Sequence, residues 1–302
     1  MDVYIISVLS NIGMIAFIAL SAYLLLLVGE ISFGQQAFFA ISAYGSGIAT
    51  AMWGWPFWMG LIWGSLLGGI AATIIAIPTL RLRGLYFSIA TLAFAEMVRL
   101  IFEVFTYQIE IDGYLVGPDG SEGFRDIRAI YEQDISQLEY MFVIYAILAV
   151  VLVGFLILEK SRLGAIFRMV GEDPMLTEMQ GLNATAYKLL AAAMAGFVAG
   201  LGGGLYAHLM TYLEPKIFNA MLGVHSLAYG LIGGLGTAFG PLIGVAIDIG
   251  FLESIRVIAN YRMIVFGGLV ALLLIVRPRG ILDERTVHWL GQRWKRFRNA
   301  RG

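Results

Sequence analysis

Three charged side chains stand in a segment that is otherwise largely apolar. Glu96, Arg99 and Glu103 fall at i, i+3 and i+7 within Leu85–Phe105, a stretch long enough to cross a bilayer as a helix. On a helix that spacing lets the guanidinium reach a carboxylate on either side within one turn. A charged residue at mid-membrane costs about 2.5–3.5 kcal/mol, so such groups either pair inside a bundle or line a path for a polar solute. Both roles are open for Glu96. Asp248, Glu253 and Arg256 form a second group at the outer end of their segment, where an interfacial ion pair is the simpler reading. Ser32, Gln35, Gln36, Ser42 and Tyr44 place hydroxyls and amides on the second apolar segment, as candidates for lining a solute pathway or for bonding to a neighbouring helix. His208 and His225 have no third ligand at metal-binding spacing, so no metal site is expected. His288 sits in a basic tail.

Other chemistries lack their motifs. The dipeptide Gly-Lys never occurs, so the chain has no phosphate-binding G-x-x-x-x-G-K-[ST] loop, and no nucleotide cofactor is expected on it. Neither H-E-x-x-H nor a G-x-S-x-G elbow is present. Nothing points to a catalytic residue, an enzyme or a nucleic-acid partner.

The elements that must carry these residues follow from composition. Apolar residues make up 59% of the 302 and charged residues 14%, against roughly a quarter charged in a soluble domain. The mean hydropathy is +0.82. In water such a chain would expose far too much apolar surface, so its solvent is lipid. Cysteine is absent, which excludes a disulfide framework. A crossing needs about 20 apolar residues. Uncharged runs cover Val3–Val28, Ile31–Leu80, Tyr140–Leu158, Leu189–Leu213, Ile217–Ile247 and Met263–Val276. Val3–Val28 is too long for a signal-peptide core of about 7–15 residues and reads as a retained span. Ile31–Leu80 must cross twice, with the break near Gly54-Trp55-Pro56; Trp53, Trp55 and Trp58 mark an outer turn there.

Basic residues set the orientation. Arg81 and Arg83, then Lys160, Arg162, Arg168 and Lys188, then the tail from Arg277 to Arg301 together hold 14 of the 20 lysines and arginines, and are expected inside. The loop Thr106–Glu139 has eight acidic residues against Arg125 and Arg128, and is expected outside. An even number of crossings must separate two inner segments, so the glycine-rich stretch Gly233–Pro241 is expected to turn the chain near the inner face. The expected fold is an all-α polytopic membrane protein of about nine segments, N-terminus out and C-terminus in. Residues 1–280 would form one membrane domain, with an inner segment at 159–188 and an outer loop at 106–139. Residues 281–302 would be a basic inner tail.

Glycine recurs every fourth residue at Gly60-Gly64-Gly68, Gly196-Gly200-Gly204 and Gly236-Gly240-Gly244. In a helix each triplet lines one face and lets backbones approach closely, either for fixed packing or for sliding. In the inner segment, Leu163, Ile166, Phe167 and Val170 share one face of a short amphipathic helix. Glu172 and Asp173 suit the start of a second one, with Pro174 at its first position and Gly181 as its stop. Such an element is suited to dock on a partner, though composition alone would also fit a solvated connection.

Here the chain resembles the permeases of branched-chain amino-acid ABC importers, of the LivM type. That family's inner signature runs roughly G-x-x-x-x-A-x-R-E-D-x-x-A-A-x-x-x-G-I-N, then Lys and an A-G-x-A-G-x-L-Y helix. This sequence has Gly164, Glu172-Asp173, Gly181-Leu182-Asn183, Lys188, Ala195-Gly196-Phe197-Val198-Ala199-Gly200 and Gly204-Leu205-Tyr206-Ala207. Ile31–Phe39, Arg81–Phe87, Thr91–Glu96, Gly233–Gly236, Gly240-Pro241 and Arg277–Gly280 also match, so the resemblance covers nearly the whole chain in order. Gly171 stands where the family usually has Arg, and the outer loop is longer and more acidic.

The resemblance implies a type II ABC importer membrane domain in a bacterial inner membrane. It would pair with a LivH-like second permease, two ATPases that hold ATP and Mg, and a periplasmic solute-binding protein. It puts the ATPase-coupling element at Gly171, Glu172, Asp173, Pro174 and Gly181. The implied solutes are branched-chain or related neutral amino acids, or small amides, urea or carboxylates. A sugar or nucleoside ABC permease is the alternative, as is a stand-alone ion-coupled transporter using Glu96 or Asp248.

Overall fold

The computed structural model describes residues 3–82, 84–111, 113–130, 134–252, 262–277 and 280–282. Five helices are long and apolar enough to cross a membrane: α1 (Val3–Leu27), α3 (Phe57–Thr79), α4 (Leu85–Val104), α5 (Gln137–Lys160) and α8 (Ala184–Met210). Shorter apolar helices fill the gaps. α2 (Gln35–Gly47) continues through a π-helical turn at Ile48–Met52; α9 is Ala220–Gly233; α10 (Phe239–Val245) continues as a π-helix to Leu252; α11 is Arg262–Val276. Two small helices, α6 (Arg162–Glu172) and α7 (Pro174–Met179), connect α5 to α8.

Local chemistry fixes the ends. Ser136 and Glu139 form a reciprocal capping box at the start of α5, the Ser136 N–H donating to Glu139 Oε2 at 2.8 Å. Asn183 Oδ1 accepts from the Ala186 N–H at 3.0 Å to start α8, and Asn219 Oδ1 from Met221 N–H at 2.9 Å to start α9. Each side chain satisfies a donor that the first turn leaves without a backbone partner. Around the π turn, Trp53, Trp55 and Trp63 gather with ring centroids 5.4–6.4 Å apart. Trp58 is not the third member; it packs on Phe57.

α8 lies at the centre. Two thirds of its best spanning window is buried, against 22% for α5 at the rim. α1, α2 and α3 wrap α8, and glycine makes this possible. A Cβ on Gly68 would stand 2.8 Å from the Gly196 carbonyl oxygen, and one on Gly196 2.4 Å from Ala72 Cβ. Gly68 and Gly196 therefore meet at the α3–α8 crossing, while Gly60 and Gly64 pack on Ser42, Ser46 and Thr50 of the α2 segment and Gly200 and Gly204 on Ser65 and Leu61 of α3. The third triplet behaves differently from expectation. Gly236 lies in the non-helical break between α9 and α10, and only Gly240 and Gly244 are helical, packed on the backbone of Gly233 and Tyr229. The cause is local: Gly234 turns at φ +95°, a conformation that ends α9.

The outer loop also departs from an all-helical reading. It contains a two-stranded antiparallel hairpin, β1 (Ile109–Ile111) with β2 (Tyr114–Val116). The Asp112-Gly113 pair between alternating residues was the readable signal for it. At the other end, the break after α9 is closed by the segment beyond α11. Ile281 and Leu282 N–H donate to the carbonyls of Ile232 and Gly233 at 2.9 and 2.8 Å, and the Gly236 N–H to Leu282 at 3.0 Å. The expected basic tail beyond Leu282, including His288, lies outside the described residues, as does Arg83.

Candidate functional site

The end of the bundle away from the β hairpin gathers α6, α7, the ends of α5 and α11, the start of α8 and the α9–α10 break. α6 presents the face expected of it: Phe167 and Val170 are fully buried against the bundle, with Leu163 and Ile166 packed beside them. Gly171 closes that contact, since a Cβ there would stand 2.3 Å from the Leu27 carbonyl oxygen at the end of α1. An arginine side chain at this position would need the helices to part. Asp173 then caps α7, its Oδ1 accepting from the Met175 and Leu176 N–H at 2.9 and 3.0 Å. Pro174 occupies the first turn, where a missing N–H costs nothing, and Gly181 leaves the element at φ +83°. Glu172 is exposed beside them. The product is a short, firmly started helix whose Met175, Leu176 and Met179 are 67%, 54% and 73% exposed.

Charged side chains stitch this end together. Lys188 Nζ lies 2.6 Å from Glu30 Oε1, joining the start of α8 to the turn between α1 and α2. Glu159, on the last turn of α5, accepts from Tyr23 of α1 and from the break after α9. Glu30 was visible as the charge separating two long uncharged runs, and Lys188 as a flanking charge. Their pairing across 158 residues was not.

The five polar residues of the second segment are all buried, but they do not share one stripe. Ser32 precedes α2, where its Oγ accepts from the Gly34 N–H at 3.1 Å. Ser42 donates to the Gly200 carbonyl of α8 at 2.5 Å. Tyr44 points to the opposite side, its ring stacked 4.0 Å from Phe102 of α4 and its hydroxyl 3.4 Å from the Leu213 carbonyl. Helical geometry at 100° per residue dictates this split. Gln35 and Gln36 differ from the rest: both are within 1% of full burial and neither amide has a hydrogen-bond partner among the described residues. Gln36 lies against Gly223 of α9, where a Cβ would stand 2.2 Å from its Oε1. Buried amides without partners are costly, about 1–3 kcal/mol per group by general experience.

On α4, Arg99 donates to Glu96 Oε1 at 2.8 and 2.5 Å and pairs with Glu103 on its other side. The triad is formed, yet it does not face the bundle interior: the Glu96 side chain is 42% exposed. It borders a groove lined by Ala93, Met97, Leu100, Ile101 and Val104. α4 and α5 are both rim helices, but from Phe142 to Ile157 the exposed residues of α5 are all apolar, while the middle of α4 exposes a carboxylate. Lipid is a suitable neighbour for the first and not for the second.

Asp248 is fully buried within the protein. Its Oδ2 accepts from the Tyr229 hydroxyl at 2.7 Å, with His225 Nδ1 3.6 Å away. Its expected companions Glu253 and Arg256 lie outside the described residues. His208 is also buried, 3.0 Å from Thr50 Oγ1 and 2.7 Å from the Gly204 carbonyl. Among the described residues, no three His, Asp or Glu side chains gather as metal ligands.

Comparison with known proteins adds independent evidence. The chain is 30% identical over 279 residues to the high-affinity branched-chain amino acid transport system permease protein LivM of Salmonella typhimurium (strain LT2), covering 85% of this chain and 64% of that protein. It is 27% identical over 133 residues to LivH, a permease protein of the same system, of Escherichia coli (strain K12), covering 43% and 42%. It is also 27% identical over 228 residues to the ribose import permease protein RbsC of Haemophilus influenzae, covering 72% and 65%. The chain thus spans just under two thirds of the length of LivM. No solved structure matches it. The family model described as branched-chain amino acid transport system / permease component matches residues 4–276. With its several apolar spans and a match that runs nearly end to end, this chain belongs to that family of multi-pass membrane permeases.

Proposed function

We propose that the chain is one of two permease subunits of an ATP-driven importer for branched-chain or related neutral amino acids, in a bacterial inner membrane. The observation that carries this reading is α7. A capped helix of six residues presents three apolar side chains, each more than half exposed, at the end of the bundle where basic residues gather. An apolar face of that kind on the water side needs a protein partner. ATPase subunits would grip α7, and Gly171, Glu172, Asp173, Pro174 and Gly181 would set its position. ATP and Mg would be held by those subunits, and a periplasmic binding protein would deliver the solute to the outer loop.

About nine segments, with the N-terminus outside and the C-terminus inside, fit the placement of acidic and basic loops. The second permease, a LivH-like subunit, would cover the α4 face at Glu96, and the pathway would run between the two. Gln35 and Gln36 would meet it when α9 moves away, since solute or water would then supply the partners their amides lack. A ribose-type or nucleoside cargo is the second reading, favoured by the likeness to RbsC.

Uptake in cells lacking their own branched-chain importers tests the proposal. Expressed with its neighbouring permease, ATPase and binding-protein genes, the chain should restore accumulation of labelled leucine, isoleucine or valine, abolished by an ATPase-inactivating substitution. Accumulation of ribose or nucleoside instead would select the second reading. Accumulation without any ATPase would contradict both.

A further inference from the structure

The carboxylate of Glu159 joins α5 to α1 and to the break between α9 and α10. It sits one residue before the end of α5, directly ahead of the α6–α7 segment. Its Oε1 accepts from the Tyr23 hydroxyl of α1 at 2.8 Å and from the Ala238 N–H at 2.6 Å. Its Oε2 accepts from Thr237 Oγ1 at 3.3 Å. Arg168 of α6 also reaches the Tyr23 hydroxyl, so the amphipathic helix enters the same cluster. Thr237 and Ala238 belong to the break between α9 and α10, where Gly233 and Gly240 meet backbone to backbone.

Two features make this more than a packing contact. Hydrogen bonds to a charged acceptor are roughly twice as strong as neutral ones, so the carboxylate can hold moving parts together. What it holds is also a non-helical break, whose Gly234 takes φ +95° and whose Gly236 N–H donates across to the Leu282 carbonyl. Short non-helical segments are where backbone change is absorbed when packed elements move, and a charged anchor at such a segment ties its position to the element that carries the charge.

We propose that Glu159 is the positioning residue through which movement of α6–α7 reaches α1 and the α9–α10 break. This rests on the coupling role assigned above to α7. When α7 is pulled, α6 and the end of α5 move with it. Glu159 then carries Thr237 and Ala238 along, shifting α9 and with it Gly223 against Gln36. Without the carboxylate, α6–α7 and the break move independently.

The test uses the complete complex, with partner permease, ATPases and binding protein, in proteoliposomes, and reads solute uptake and ATP hydrolysis separately. Glu159→Gln keeps the size but removes the charge and one acceptor. We expect its ATP hydrolysis to stay within two-fold of wild type while solute moved per ATP falls at least ten-fold. Tyr23→Phe, which removes only the α1 arm, should lower the same ratio by a smaller factor. If Glu159→Gln yields too little complex, Tyr23→Phe and Thr237→Val decide by that ratio, which a merely structural role would leave unchanged. An unaltered ratio in these variants, whatever their absolute rates, overturns the proposal. A wild-type complex without ATP-driven uptake instead overturns the coupling reading on which it rests.

Discussion

Replacing Gly196 by alanine puts a methyl group where α8 crosses α3. Its Cβ would stand 2.4 Å from Ala72 Cβ and 2.5 Å from the Gly68 carbonyl oxygen. Carbon atoms in contact settle about 3.5–4.0 Å apart, so the helices must part by roughly 1 Å at the crossing. A gap of that size forfeits about a quarter to a half of each contact's ~0.1–0.2 kcal/mol. Summed over the few tens of atom pairs in a helix crossing, the loss is about 1–3 kcal/mol, the range found for overpacked cores. The bond from Ser42 to Gly200, one turn along α8, would lengthen as well. Gly154 on α5 is the control, because a Cβ there meets nothing within 4 Å. Alanine at that site should be neutral or slightly stabilising, since glycine in a helix costs up to about 1 kcal/mol against alanine. Unfolding in mixed micelles, titrated with a denaturing detergent, measures both. A Gly196→Ala midpoint equal to that of Gly154→Ala would refute the close-packing argument.

Other perturbations separate the remaining contacts. Lys188→Met leaves Glu30 buried without its cation, a change that costs up to about 3–5 kcal/mol when one partner of a buried pair is removed. Adding Glu30→Gln should recover much of that loss in the same unfolding assay, and a purely additive double variant would show that the pair is not coupled. Asp173→Ala removes two main-chain bonds at the start of α7, worth about 0.5–2 kcal/mol. Faster amide exchange confined to 174–179, with lower ATP-driven uptake and an unchanged global unfolding midpoint, is the expected result. Thr50→Val strands the buried His208 ring nitrogen and should cost about 1–3 kcal/mol; a midpoint equal to wild type would show that another group satisfies it.

Periodicity and charge made much of this molecule legible. Uncharged run lengths located the long helices, and glycine spacing located the α3–α8 seam. The caps at Asp173 and Pro174 could be read because capping is local, decided within three or four residues. Contacts between distant parts of the chain were not legible. Glu159 is 136 residues from Tyr23 and 79 from Ala238, so in the sequence it is only a charge at the end of a span. The third glycine triplet failed as a helix face because Gly234 leaves helical geometry, which spacing does not register. The enclosure of Asp248 by Tyr229 and His225, 19 and 23 positions earlier, is likewise not visible in the sequence. Of the polar series Ser32, Gln35, Gln36, Ser42 and Tyr44, Ser42 bonds to α8 and Tyr44 stacks on α4, while the Gln35 and Gln36 amides have no partner among the described residues.

Whether an ATPase subunit grips α7 can be measured directly, because this chain has no cysteine. Met179→Cys places a single thiol on the exposed face of α7, and Tyr114→Cys places one on the β1–β2 hairpin, at a position 76% exposed. A short thiol–amine cross-linker applied to the purified, transporting complex should join Met179→Cys to an ATPase subunit, with a yield that changes when ATP binds. Tyr114→Cys should not reach that subunit. A transporting complex in which Met179→Cys never reaches an ATPase would contradict the claim, as would solute flux through this chain alone without ATP.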